Sequence, residues 1–182
     1  MRPSPRLPLL CLALAGCGPG GATAPDGLEL ASVDAQVAAI TLGDECAPTT
    51  LQACELGVSC ESGCRLSSAR LRLSSRALKP VRVAVTATRV FDGSRLVTTL
   101  GARASAVRSG SGFQGWGGEL SQGATLEVLV ELGAPAWSTV STDFAQLRST
   151  YAVIYRTELD LLADGVPATL AGPSTRREPP LP

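Results

Sequence analysis

Residues 81–107 read VRVAVTATRVFDGSRLVTTLGARASAV. Val81, Val83, Val85 and Ala87 alternate with Arg82, Ala84, Thr86 and Thr88. A period of two belongs to a strand with one face on a core and the other in water. The valines point inward on this reading, and Arg82 and its neighbours point outward. Asp92-Gly93 follows, a pair that accepts the positive φ of a tight hairpin turn. Arg95 to Val107 then returns as the partner strand. An antiparallel hairpin of this length sets the class of the chain as all-β.

Downstream the same pattern recurs. Ser109 to Gly118 is Gly/Ser-rich and carries Phe113 and Trp116, and Ser121-Gln122-Gly123 marks a turn. Leu126, Val128, Val130 and Leu132 form an inward face, with Glu127 and Glu131 outward. Pro135 and Trp137 fall in the next loop. Thr142 to Arg148 accommodates one or two helical turns capped by Ser141 or Thr142. Tyr151 to Ala163 reads as a long strand with Tyr151, Val153, Tyr155, Leu159 and Leu161 on one face. Asp164-Gly165 is a second hairpin turn, returning through Val166 to Leu170. Pro173 to Pro182 holds four prolines and two arginines and is expected to be a disordered tail.

Upstream, Leu66 to Leu73 alternates, and Leu28 to Leu42 reads as one long first strand with Val33, Ala35, Val37 and Ala39 on one face. Between them, residues 43–65 form a cysteine-rich insert. Cys46, Cys54, Cys60 and Cys64 are spaced C-x7-C-x5-C-x3-C. Zinc ligands usually pair as C-x2-C, so two disulfides are the better reading of this spacing. Three connectivities are open, with Cys46–Cys64 around Cys54–Cys60 preferred. Each bridge contributes on the order of 2–4 kcal/mol. The expected fold is therefore a two-sheet antiparallel sandwich of about seven strands over residues 28–172, with at most one short helix. In strand count and spacing it resembles immunoglobulin-like and fibronectin-type-III-like sandwiches, and an immunoglobulin-like topology fits. A small β-barrel is the alternative.

The first seventeen residues speak of location. Arg2 and Arg6 precede Leu7–Ala15, nine residues that are almost wholly apolar. That is too short for a membrane span of roughly 20 residues and has the layout of an export signal. It closes on Leu14-Ala15-Gly16-Cys17, which resembles the lipobox of bacterial lipoproteins at all four positions. The resemblance implies a signal peptide over residues 1–16, diacylglycerol on the Cys17 thiol and cleavage before Cys17. Palmitate would be among the acyl chains. Gly18 stands where such proteins carry Asp for inner-membrane retention, which implies the outer membrane in a Gram-negative cell. Residues 17–27, rich in Gly and Pro, form a lipidated flexible spacer; its ten residues from Gly18 span roughly 16–19 Å.

The whole chain has 16 basic and 16 acidic residues and no histidine. Loss of the leader takes Arg2 and Arg6 with it and leaves the mature chain near −2. No basic patch points to nucleic acid. Without histidine the commonest general base and metal ligand are missing. Lys79 is the single lysine and does not form Ser-x-x-Lys with Ser74 or Ser75. Glu127 and Glu131 lie about 13 Å apart along a strand, beyond either glycosidase geometry. Glu158 and Asp160 are closer but share a strand with ordinary solvated charge. Asp44, Glu45, Glu55 and Glu61 lack a calcium-loop pattern. No catalytic residues, metal or cofactor are expected. Phe113 and Trp116 form the candidate binding loop, either a stacking platform for a sugar or a lid over the core. The expected function is that of a non-catalytic, lipid-anchored envelope lipoprotein with a β-sandwich interaction module. Its partners would be the membrane through Cys17 and an envelope protein or glycan. A carbohydrate-binding or adhesion module is the alternative, and an envelope hydrolase comes third.

Overall fold

A computed structural model describes residues 28–30, 32–43, 66–140 and 149–179. Within them lie ten strands and one short helix, in this order: β1 Leu28–Leu30, β2 Val33–Thr41, β3 Ser68–Ser75, β4 Val81–Asp92, β5 Arg95–Ser109, β6 Gly112–Gly115, β7 Glu119–Leu120, β8 Thr125–Leu132, α1 Trp137–Val140, β9 Tyr155–Ala163 and β10 Val166–Thr175. Seven of the strands are eight residues or longer, which matches the periodic runs in the sequence. The other three, β1, β6 and β7, are too short to show a period.

The strands run in the order β1-β2-β3-β8-β5-β4-β9-β10, with β6 beside β5 and β7 beside β4. Every neighbouring pair is antiparallel. The fifteen-residue β5 belongs to both layers. Its first half, Arg95–Gly101, pairs with β4, and from Ala102 it pairs with β8 across a bulge at Ala102/Ala104. The two ends of the order then meet. Thr175 Oγ1 donates to the Ile40 carbonyl at 2.9 Å, Glu178 N donates to the Leu42 carbonyl at 2.9 Å, and Leu42 and Arg177 form a parallel bridge. The result is an antiparallel sandwich, nearly closed like a barrel, which leaves few unpaired edges. Leu71, Leu73, Val128 and Val130 of one layer pack against Val83, Val90, Leu159, Leu161 and Leu170 of the other, all in one core.

Several expectations change at this level. Leu28–Leu42 is a hairpin turning at Ser32, because β1 folds back so that Leu28 faces Ala35. A register shift between Val37 and Ala39 passes the inward face from Val37 to Ile40 and Leu42, not to Ala39. In β4 a shift between Val85 and Ala87 does the same, so Thr88 and Val90 are buried in place of Ala87. One extra residue flips every later side chain to the other face. The strand expected from Tyr151 begins at Tyr155, after a turn closed by Ala152 N donating to Ser149 O. Trp137, placed in a loop by its sequence neighbours, opens α1 and is buried. The helix expected over 142–148 lies outside the described residues. The tail expected to be disordered from Pro173 instead completes β10 and is bridged to Leu42 at Arg177. Cys17, the spacer and all four cysteines of the insert also lie outside the described residues.

Two positions test this packing. A Cβ on Gly172 would overlap Thr157 Oγ1 and stand 2.9 Å from Ile40 Cδ1. Thr157 Oγ1 is itself held by donating to the Pro173 carbonyl at 2.9 Å. Gly172→Ala should therefore lower the unfolding free energy by about 1–3 kcal/mol. Gly115→Ala, where a Cβ meets nothing within 4 Å, should stay within about 0.5 kcal/mol of wild type. Equal denaturation midpoints for the two variants would contradict the close approach of β10 to β2. Thr88 is fully buried, and its Oγ1 has no hydrogen-bond partner among the described residues. Burying an unsatisfied hydroxyl costs about 1–3 kcal/mol, so isosteric Thr88→Val should raise the melting temperature. A lower one would show that the hydroxyl is used.

Candidate functional site

The Gly-rich stretch 109–118 is a hairpin, not an open loop. β6 turns at Gly110, at φ 59°, and pairs back onto β5. Phe113 faces Arg108 and Gly115 faces Ala106 in this pairing. Phe113 is thus half-buried on the outer side of the sheet. Trp116 goes the other way and packs against the core, with its N–H donating to Ser105 O and Nε1 donating to Glu119 O, both at 3.0 Å. The segment then returns to β4 through Gly118, at φ 85°, whose Cβ would lie 2.7 Å from Val83 O. The structure does not bring the two rings together into one platform.

Of the acidic residues weighed as candidates, Glu127, Glu158 and Asp160 have arginine partners, while Asp44, Glu45, Glu55 and Glu61 lie outside the described residues. Arg89 on β4 grips Asp160 of β9 through two hydrogen bonds, Nε to Oδ2 at 2.9 Å and Nη2 to Oδ1 at 2.8 Å. Its Nη1 reaches Glu158 at 3.0 Å. Thr169 Oγ1 of β10 donates to Asp160 Oδ1 at 2.7 Å. Arg156 also pairs with Glu158 and stacks 4.0 Å over the Phe91 ring. The Arg89 hydrogen bond holds the Asp160 carboxyl below the usual Asp value, aided by Thr169 and opposed by partial burial. The same bond raises Arg89. Ser75 Oγ accepts from Ala77 N, and Lys79 lies exposed in the β3–β4 loop. Among the described residues no three His, Cys, Asp or Glu stand together as a metal site.

A different surface collects polar groups. On the outer face of β2, β3 and β8 a groove of about 460 Å³ is lined by Asp34, Ala35, Gln36, Arg72, Ser74 and Thr125. Register makes it: Asp34 faces Ser74, Gln36 faces Arg72, and Ser74 faces Thr125 across the next strand. Ser74 and Thr125 share a hydroxyl–hydroxyl bond of 2.8 Å. The sequence shows these residues only as outward positions of separate strands. Nothing in the period of two says which of them become neighbours.

A third cluster is structural. Tyr155 packs against Trp137 with ring centroids 5.6 Å apart, and its hydroxyl donates to Thr150 O at 3.3 Å. Burial raises the Tyr155 pKa. The Arg177 guanidinium lies 4.7 Å from the Trp137 ring centre and 4.0 Å from that of Tyr151.

A scan of protein families finds no match to this chain, and a search of curated proteins finds none. Among solved structures, the crystal structure of an uncharacterized β-sandwich protein from Clostridium difficile 630 is similar at 11% identity. The match covers 82% of this chain and 91% of that one, with a TM-score of 0.43.

The Asp160 interaction carries a pH dependence. Its folded-state pKa is depressed, so the stabilisation is present above the unfolded Asp value, near 4. It is lost as pH falls through the lower folded value. Asp160→Asn should therefore melt below wild type at neutral pH, with the gap closing as the pH is taken below about 4. Thermal melts across that range check this, and a gap that does not change with pH would contradict it.

Proposed function

We propose that this chain is a lipid-anchored lipoprotein of the bacterial cell envelope, with the β-sandwich serving as an interaction module and not as a catalyst. The observation that carries the reading is Leu14-Ala15-Gly16-Cys17, set directly behind a short apolar run with Arg2 and Arg6 ahead of it. Small residues before a cysteine let a membrane-embedded peptidase reach the backbone, and the thiolate is the one strong nucleophile at the site of lipid transfer. The described fold begins at Leu28, ten residues after Gly18. The Gly/Pro-rich composition of residues 18–27 suits a tether between lipid and sandwich. Two or three acyl chains are needed for stable anchoring, since a single chain holds only marginally. Gly18 after the cysteine favours the outer membrane.

The chemistry of the described residues supports a binding role. Glu127, Glu158 and Asp160 are each engaged by arginine, and the Arg89 hydrogen bond holds the Asp160 carboxyl below the usual Asp value. The chain has no histidine to serve as base. Cys46, Cys54, Cys60 and Cys64 belong to this reading as two disulfides formed after export, stapling the 43–65 insert. The carbohydrate-binding alternative has, at its first candidate site, Phe113 half-buried and Trp116 packed against the core. It finds support at the β2–β3–β8 groove.

Growth in a Gram-negative host with radiolabelled palmitate tests the anchor. Wild type should take up label and sediment with membranes, and Cys17→Ser should do neither. Label retained by Cys17→Ser would overturn the assignment of the acceptor.

A further inference from the structure

The groove on β2, β3 and β8 has an unbalanced charge set. Asp34, at its rim, is held by Arg76 at 2.5 Å. Glu127 stands directly across from Arg72 in the β3–β8 register. Yet its carboxylate is taken by two other arginines, with Oε1 3.4 Å from Arg70 Nε and Oε2 3.1 Å from Arg108 Nη1. Arg72 is left without a carboxylate among the described residues. This exposed guanidinium is therefore open to an anion from solution. An exposed arginine offers five donors in a planar fork that matches a carboxylate.

The groups around Arg72 suit hydroxyls. Gln36 faces Arg72 across β2 and β3 and is exposed, and its side chain has no hydrogen bond among the described residues. Its amide offers both a donor and an acceptor. In the Ser74–Thr125 pair one hydroxyl proton bridges the two oxygens at 2.8 Å. The other proton and the remaining lone pairs are left to face outward. A simple oxyanion such as phosphate would satisfy Arg72 and leave the acceptors unused. A neutral sugar would satisfy the acceptors and leave Arg72 unpaired. The groove volume of about 460 Å³ lies within the usual range for a small-molecule site, about 300–1,000 Å³.

We infer that this groove binds a sugar unit that carries a carboxylate. Arg72 pairs with the acid, and Gln36, Ser74 and Thr125 hydrogen-bond the ring hydroxyls. The inference names a ligand class for the interaction module proposed above and rests on that reading for its setting. Its test is nevertheless separate, since binding is measured whether or not Cys17 carries lipid.

The full chain in detergent is titrated with trigalacturonate, with a neutral trisaccharide and with inorganic phosphate at matched ionic strength. Binding is read by saturation-transfer NMR and calorimetry. Trigalacturonate should bind, and the other two should bind at least about tenfold more weakly. Arg72→Gln should weaken trigalacturonate binding by about tenfold or more, the scale of one charge-assisted pair. Gln36→Ala should weaken it by less, and Trp116→Ala should leave it unchanged. Both Arg72 and Gln36 are exposed, so their variants should keep the wild-type melting temperature within a few degrees, about 0.5 kcal/mol. Absence of trigalacturonate binding by wild type overturns the inference. So does equal binding by Arg72→Gln, phosphate binding as tightly as the trisaccharide acid, or loss of binding in a Trp116→Ala variant that keeps the wild-type melting temperature.

Discussion

The guanidinium of Arg177 lies over two aromatic rings at once, those of Trp137 and Tyr151. Its Nη1 also donates to Thr150 Oγ1 at 2.8 Å. Cation–π contacts of this kind contribute about 0.5–1 kcal/mol each when exposed and more when desolvated. What matters here is where this one sits. The next residue, Glu178, gives its N–H to Leu42 O, and Arg177 itself bridges Leu42. The contact therefore holds the last strand of the sheet order against β2, near the first. Without that closure β2 and β10 would be two distant edges of an open, strongly twisted sheet. With it, the inner faces share one core, and Gly172 can approach Ile40 closely enough to exclude any side chain.

The same cluster also fixes the connections that leave the sandwich. Trp137 Nε1 donates to Gly43 O at 3.0 Å, and Gly43 N donates to Ser67 Oγ at 3.0 Å. Ser67 O in turn accepts from Leu132 N at 2.9 Å. Gly43, the first residue of the 43–65 insert, and Ser67, just past its end, are thus tied to each other and to the helix that follows β8. A long connection adds little entropic cost when its ends are already held together. That is how a short sandwich tolerates an insert over residues 43–65 between two adjacent strands.

Sequence patterning reached the parts of this fold that depend on local chemistry. Asp92-Gly93 and Asp164-Gly165 turn where expected, with Gly93, Asp164 and Gly165 at positive φ. Val81, Val83, Leu71, Leu73, Val128 and Val130 point inward as their alternation requires. The bulges in β2 and β4 were not legible, because an extra Ala or Thr in a strand has no compositional mark. Arg177 and Trp137 meet although they stand 40 positions apart in the chain, and a Pro-rich tail reads as loose until a partner surface exists for it. Pro173 costs no ladder bond where it sits, since β10 leaves β9 across a register shift at that point. The groove was hidden for a related reason. Arg72, Gln36 and Thr125 become neighbours through cross-strand register, which alternation within a strand does not specify.

Register also separates the two outer faces by their electrostatics. On the β4–β9–β10 side, Arg89 meets Asp160 and Glu158 together, and Arg156 adds to Glu158. Two cations and two anions balance within that cluster. On the β2–β3–β8 side, Arg70 and Arg108 converge on Glu127, and Arg76 takes Asp34. Arg72 is the cation that this arrangement leaves over. Surface pairs of this type contribute little to stability, about 0–1 kcal/mol each. The asymmetry therefore matters little for holding the fold together. Its physical consequence is local: one exposed guanidinium stands free of a carboxylate beside a groove whose other groups can donate and accept hydrogen bonds.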